Sequence, residues 1–472
     1  MLDQKAKVRL NFVVVGASLA GLASAYTLAK VGHKVVVVDV VPDIPLSYGT
    51  IGSSPSMTSI LVQWGLQKQI DELFQVCNNC RFFSATTGDF LGCLNRSLME
   101  EIKSDGTAGF MIAYYNDLHR LLREIAAQAG AQTLFNSLVT GLDPTTDNVM
   151  LATGEILEAD LIIAADGCHS LFRRYIVDEH PEHEELLSLI PPRFVHMMLP
   201  ISMDKVREDK DLDGILNPIS WDYWLGDGYI CHGNVSNHEQ NSLFAIVQPF
   251  SGEEKPEHKI WTQSSDFAAY GVDYSGLDIR VQKLFGMASD FWAKIYENRP
   301  LETIVGASPK VILVGEAAHS ILPGSYHFPA LAFEDAQTLG YLFSKIQDKG
   351  QISKFLAAYE DIRQPRLKFV YESELKYRVG LTSPDATLRQ RRDQLLKRLS
   401  EYNASTSPAD VETLMTDWGA DFEIMSYDAT VHVTDWWRQY GSSIVGVSPQ
   451  LNGPEDELEI GVVTEVTEHV IE

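Results

Sequence analysis

The chain has 472 residues, 45% hydrophobic and 22% charged, which suits a globular protein of two or three domains rather than a disordered one. Its 64 acids against 38 bases give a formal charge of −26, a surface that repels nucleic acid and anionic lipid and argues against both as partners. The five scattered cysteines fit reduced thiols in a cytoplasmic protein, and Cys77-Asn-Asn-Cys80 is a lone CxxC without a second pair, so no metal site is expected.

"LNFVVV" (Leu10–Val15) is a short apolar run that ends at glycine, as a fully buried parallel strand does. "LAGLASAYTLAKV" follows with helical spacing of Leu19, Leu22, Tyr26 and Leu28, and Gly32 stands where a helix terminates. "KVVVVD" (Lys34–Asp39) then supplies a second buried strand, which completes a βαβ unit. A hydropathy window over this region is high, but its two glycines, two serines and change of period argue against a membrane span. No basic segment precedes an apolar one, so no secretory signal is expected.

Two further apolar runs end at glycine, "DLIIAADG" (Asp160–Gly167) and "KVILVGE" (Lys310–Glu316). Between them the text becomes rich in aromatic residues with alternating patterns such as "YWLGDGYICHGNV", which predicts an inserted antiparallel sheet. The remainder is helical and charged until "GPEDELEIGVVTEVTEHVIE", where seven acids follow Pro454 with no Lys or Arg and a mobile tail is expected. The fold class is therefore α/β: a Rossmann-type domain (8–75, 100–180 and 305–345) with an inserted antiparallel β-sheet substrate domain (76–99 and 181–304), a helical C-terminal region (346–445) and an acidic tail (446–472).

Gly16-Ala-Ser-Leu-Ala-Gly21 is a G-x-S-x-x-G version of the dinucleotide fingerprint. The first glycine makes the tight turn and the last lets helix pack on strand. The free N–H groups of Ser18, Leu19, Ala20 and Gly21 then face a pyrophosphate at the positive end of the helix dipole. Ser18 replaces the middle glycine. Asp39 ends the second strand 18 residues past Gly21, where an acid accepts from ribose hydroxyls. No second fingerprint of this kind occurs, which fits one tightly held dinucleotide.

Together these segments resemble the FAD-dependent aromatic-ring monooxygenases, the salicylate-hydroxylase-like single-component flavoproteins. "MTSILVQWGL" (Met57–Leu66), "ADLIIAADGCHSLFRR" (Ala159–Arg174) and "VILVGEAAHSILPGSYHFPALAFEDA" (Val311–Ala336) carry the likeness, which runs from about residue 8 to 440. The resemblance implies that Asp166, Gly167 and Arg173 serve the cofactor, and that Gly315 and Glu316 meet the ribityl chain. It also implies that Pro323 passes beside the isoalloxazine and that the helix from Phe328-Pro329 aims its N-terminus at the flavin's pyrimidine edge, where a reduced flavin carries negative charge. Proline in a first helical turn fits, since its missing N–H leaves nothing unpaired there.

The implied reaction uses NADH or NADPH as a transient reductant and O2, added at flavin C4a. It hydroxylates a small phenolic or aromatic carboxylic substrate, with or without decarboxylation. An epoxidase, or a flavin-binding protein with lost or altered turnover, are the alternatives. Five positions depart from the family pattern: Glu316 for the usual Asp, His327-Phe328 for Gln-Gly, Tyr115 for Arg and Ile304 for Trp. His327 is either a hydrogen-bonded loop residue or a catalytic proton donor or acceptor. Trp221, Tyr223 and Trp224 are either sheet core or substrate wall. His319 is expected to pack within its loop, and Arg363 and Arg366 to tie helix to loop.

Overall fold

The computed structural model describes residues 2–445 except residue 3, segments 42–48, 96–108, 177–190, 236–240, 254–259, 307–309, 320–322 and 403–407, and residues 144, 218 and 326. The acidic tail after residue 445 lies outside the described residues.

The principal elements, in chain order, begin with β1 (Asn11–Val15), α1 (Leu19–Lys30), β2 (Lys34–Val38), α2 (Pro55–Gln63), β3 (Asn79–Ser84) and β4 (Phe90–Asn95). Next come α3 (Tyr115–Ala129), β5 (Gln132–Leu134), β6 (Leu161–Ala164), β7 (Arg193–Ser202), β8 (Ser220–Leu225), β9 (Ile230–Val235), β10 (Asn241–Pro249) and β11 (Thr262–Ser264). They are followed by α4 (Ile279–Met287), β12 (Phe291–Glu297), β13 (Val305–Gly306), β14 (Val311–Leu313) and α5 (Phe328–Phe343). The C-terminal helices are α6 (Ile352–Thr382), α7 (Ala386–Glu401), α8 (Pro408–Ser426) and α9 (Ala429–Val445).

The three glycine-ended apolar runs become neighbours. The first sheet has the order β13-β14-β6-β1-β2-β5, and β14, β6, β1, β2 and β5 are mutually parallel. Most of their side chains are buried whichever face they point to, so the strands read as nearly continuous Val/Ile/Leu runs. Helix α5 is buried along nearly its whole length and packs on α1. The packing is close: a methyl on Gly340 would sit 2.6 Å from Thr27 Cβ, and the Thr27 hydroxyl donates to Ala336 O at 2.7 Å.

The second sheet, β11-β12-β7-β10-β9-β8-β3-β4, is antiparallel except for the parallel pair β8–β3. Alternation divides it into two faces. Val195, Met197, Trp224, Cys231, Phe244, Ile246, Phe291 and Ile295 form a core with Val281, Leu284 and Phe285 of α4. The opposite face, with His196, Met198, Trp221, Tyr223, His232, Lys294 and Tyr296, turns toward the first sheet's domain. Four contacts establish this. Lys294 meets Glu316, Asn234 accepts from the Thr50 hydroxyl, Trp221 lies over Gly52, and His232 lies near Gly324. No helix among the described residues is long and apolar enough to cross a membrane.

Candidate active site

At the C-terminal end of β1 the chain has no room for side chains. Gly16 has φ +103°, and a methyl there would stand 2.3 Å from Ala165 O; one on Gly21 would stand 1.9 Å from Gly16 O. Ser18 explains its own presence in the fingerprint: it is the N-cap of α1, accepting from Gly21 N–H at 3.3 Å and donating to Ala165 O at 3.2 Å. Asp39 accepts from the Ala17 and Val41 N–H groups, so its carboxylate bridges the two strand ends. His119 of α3 closes the turn from the other side, with Nε2 2.7 Å from Ala17 O.

At the end of β6, Asp166 Oδ2 accepts from Leu171 N–H at 2.9 Å, while Oδ1 is buried without a hydrogen-bond partner among the described residues. Burial pushes this carboxyl up from its ordinary range, against the pull of Ser170 and the Leu171 N–H. Gly167 has φ +86° and faces Glu316, whose Oε2 lies 3.6 Å from the position of a Gly167 methyl. Arg173 donates to Ala317 O at 2.8 Å and Arg299 O at 3.1 Å, bracing the turn after β14.

That turn completes the cluster. A methyl on Gly315 (φ +59°) would come 2.5 Å from Ala20 Cβ, so the third strand end abuts the first helix. Glu316 is held by Lys294 Nζ at 2.7 Å and Tyr296 OH at 3.5 Å. Burial alone would lower the Lys294 pKa, but the Glu316 carboxylate holds it well above the ordinary value. This pair latches the two sheets together. Tyr115 is enclosed nearby, and burial raises its phenol pKa, reinforced by Glu316.

The segment from Gly315 to α5 is pinned by buried charges. Asp335 Oδ2 accepts from Gly315 N–H at 3.1 Å and lies 2.8 Å from His319 Nε2, while Oδ1 meets Arg363 Nε at 2.8 Å. Arg363 Nη1 and Arg366 Nη2 reach Glu334 at 2.9 and 3.0 Å. Burial alone would raise the Asp335 pKa, yet His319 and Arg363 bring it down to about 2. His319 therefore does more than pack within its loop, and Arg363 and Arg366 tie α6 to α5 through the Glu-Asp pair.

His327 is the buried N-cap of α5, with Nε2 3.8 Å from Glu374 Oε1. Burial takes its pKa down to about 3, so the imidazole is neutral at ordinary pH. Glu374 of α6, one hydrogen bond from Ser325 Oγ at 2.5 Å, is pushed by burial up to about 7. Around these two residues lies a cavity of about 30 Å³, lined also by Phe82, Phe110, Tyr377 and Asp421. The carboxyl titrates near neutrality and the histidine does not. One turn along α6, Arg378 donates to Pro323 O. Phe328 is half-buried at the start of α5.

The three aromatic residues of β8 separate by face. Trp224 belongs to the core under one face, stacked on Phe83, whereas Trp221 and Tyr223, stacked on each other at 6.0 Å beside His232, are buried on the other face in a second apolar cluster with Phe82, Phe110, Leu396 and Phe422. Gly16, Ser18, Leu19, Ala20, Gly21, Asp39, Asp166, Gly167, Gly315 and Glu316 converge at adjoining strand ends, with Pro323, His327 and Phe328 on the segment that leads into α5. His119, Lys294, Glu374 and Arg378 were not signalled by any motif. A trace existed for two of them: Glu374 and Arg378 continue the stripe Leu367, Val370, Tyr371, Leu375 and Leu381 along the buried side of α6.

The sequence profile of the family described as "FAD binding domain" matches residues 9–205. The chain is 23% identical over 420 residues to FAD-dependent monooxygenase ntnJ of Nectria sp, covering 88% of this chain and 95% of that one. It is 26% identical over 386 residues to hispidin-3-hydroxylase of Neonothopanus nambi, covering 76% and 86%. A structure titled "Salicylate hydroxylase substrate complex" superposes with a TM-score of 0.65 at 15% identity, over 91% of this chain and 98% of that one. The profile match, the parallel sheet and its glycine-ended strands agree on an FAD-binding domain at residues 9–205, and the chain is similar over most of its length to FAD-dependent monooxygenases.

Proposed function

We propose that this enzyme uses NADH or NADPH and O2 to hydroxylate a small aromatic substrate lying between the Pro323 loop and the Trp221–Tyr223 face of the second sheet. The single observation that carries the proposal is the meeting of three side-chain-free turns, at Gly16–Gly21, Gly167 and Gly315, around the buried unpartnered Asp166 Oδ1. Such a cradle suits FAD: the residues present fit the group.

In this reading the N–H groups of Ser18, Leu19 and Ala20 hold the pyrophosphate, Gly21 N–H being capped by Ser18, and Asp39 holds the adenosine ribose. Asp166, Gly167, Gly315 and Glu316 hold the ribityl side, while Pro323 and Phe328 border the ring. Arg173 supports the Gly315–Ala317 turn through Ala317 O. FAD, when bound, supplies the oxygen-activating chemistry.

The chain's own residues bind, orient and shield. Trp221 and Tyr223 present flat apolar walls that position an aromatic ring and keep out water, which would otherwise divert the oxidant. The Lys294–Glu316 pair fixes the spacing between substrate wall and cofactor turn. Glu374, in contact with Ser325 and near His327, is the group placed to hold or release a proton at neutral pH.

The test is direct. Purified protein should be yellow and release FAD on denaturation, and a panel of phenols and benzoates should include members that stimulate NADH or NADPH oxidation with a matching hydroxylated product. Protein that neither contains nor takes up FAD ends the proposal. So does protein that holds FAD but oxidises neither nucleotide with any phenol or aromatic acid.

A further inference from the structure

Arg378 lies inside the protein, its guanidinium surrounded on every side. Nη2 donates to Pro323 O, and the guanidinium stands 5.7 Å from the Phe194 ring. Among the described residues Nη1 has no hydrogen-bond partner, and the carboxylate whose charge bears on this arginine is that of Glu374. Glu374, one helical turn earlier on the same face, is not a full counter-charge, because burial leaves its carboxyl half-protonated near neutrality. A guanidinium held dry with an idle donor is costly unless an anion completes it.

A second residue with an idle nitrogen lies near the same guanidinium. His232 projects from β9 on the inter-domain face, and its Nε2 is buried without a partner among the described residues, while Nδ1 accepts from Trp221 Nε1 at 3.3 Å. That bond fixes the tautomer: Nδ1 accepts, so the proton is on Nε2, which is a donor. A methyl on Gly324 would lie 3.7 Å from His232 Nε2 and 3.9 Å from Arg378 Nη2. Gly324 is exposed, so the cover over both nitrogens is a residue without a side chain.

We propose that Arg378 and His232 form the anion anchor of the substrate site, binding a carboxylate or phenolate oxygen of the aromatic substrate across Gly324. This rests on the monooxygenase reading, under which Pro323-Gly324 borders the flavin, and it narrows the substrate class to aromatic anions. Arg378 supplies charge and one N–H, His232 a second N–H, and Trp221, which orients His232, lies beside the ring.

Titration of FAD-loaded protein with benzoate and cinnamate, and with the neutral benzamide and cinnamamide, tests the anchor. Binding is read from the flavin absorbance and from the melting temperature. The acids should bind about tenfold or more tighter than the amides, and Arg378→Gln should weaken acid binding about 100-fold while leaving amide binding nearly unchanged. His232→Gln should weaken it about tenfold. Arg378→Lys, which keeps the charge, should retain part of the preference for acids and guards against a folding defect in Arg378→Gln. A role confined to holding Pro323 would lower the melting temperature of both variants without changing the ratio of acid to amide affinity. That result overturns the proposal, as does wild-type protein that binds acids no better than amides or binds neither. With 4-nitrophenol as a further probe, a shift of its own absorption on binding marks phenolate recognition apart from carboxylate recognition. Should the protein hold no FAD, the monooxygenase reading fails on that fact alone, and melting-temperature titration with the acids still decides the role of Arg378.

Discussion

The turn after β1 and the turn after β14 do similar work by opposite means. At Gly16–Gly21 the backbone is shaped by absence: two positions lack room for a methyl, and the partners Ala165 and Asp39 lie on adjoining strand ends. At Gly315–Phe328 the path is held by presence, through Asp335, His319, Arg363, Glu374 and Arg378, most of them contributed by α5 and α6. A turn defined by sterics is specified locally and fails when something is added. A turn defined by buried charge is specified at a distance and fails when something is removed.

The largest expected effect follows from removing charge. Arg363→Leu takes one cation from both the Glu334 and Asp335 carboxylates, each fully buried, leaves them only Arg366 and His319, and should destabilise the protein by about 3–5 kcal/mol in denaturant unfolding. If the loss is under about 1 kcal/mol, the α5–α6 network is not what holds the second turn.

Next comes Glu374, whose carboxyl rises from 4.5 to about 7 on folding. Between those values the native protein binds more protons than the unfolded chain, so stability falls as pH rises through that window. Glu374→Gln should therefore gain on the wild type by an amount on the order of 3 kcal/mol between pH 4 and pH 8, read from parallel unfolding curves. Asp421, raised by burial to about 6, adds to the rise of Glu374, so the same comparison in an Asp421→Asn background should keep the sign of the difference and reduce its size.

The contrast also explains what could be read in the sequence. Each strand of the first sheet and the Gly16–Asp39 unit is contiguous, so period, glycine placement and an acid at a strand end fall within one window. The second sheet's alternation was visible, but not its parallel β3–β8 pair, since pairing of segments some 140 residues apart leaves no local trace. Lys294 sits in "FWAKIYE" as an ordinary alternating residue, and only the structure brings it to Glu316. Arg378 and Glu374 look like solvated charges on a charged helix until the second sheet and the Pro323 loop enclose them. Chemistry carried by one segment was legible; chemistry made by two surfaces meeting was not.

The steric turn gives the smaller effects. Gly21→Ala places a carbon against Gly16 O, so strand and helix must separate, with a loss of about 1–3 kcal/mol and failure to retain FAD. Retention of FAD with unchanged melting temperature would mean that α1 does not need its close approach to β1.

The finest probe is Ser18, which stands where the fingerprint has its middle glycine. Its hydroxyl satisfies Gly21 N–H and reaches Ala165 O, so the side chain caps the helix and braces β6 at once. Ser18→Ala loses both bonds while keeping Cβ, and should cost about 1 kcal/mol. Ser18→Gly loses the same bonds but frees the N-terminal N–H groups to approach a phosphate, and glycine is itself a tolerable N-cap, so its penalty should be a few tenths of a kcal/mol. The two variants should therefore separate: alanine less stable than glycine, and FAD affinity in the glycine variant equal to or above that of the wild type. Equal losses in both would mean that the serine is held for its contact with Ala165 rather than for the cap, and that the turn after β1 is braced from β6 in the way the turn after β14 is braced from α6.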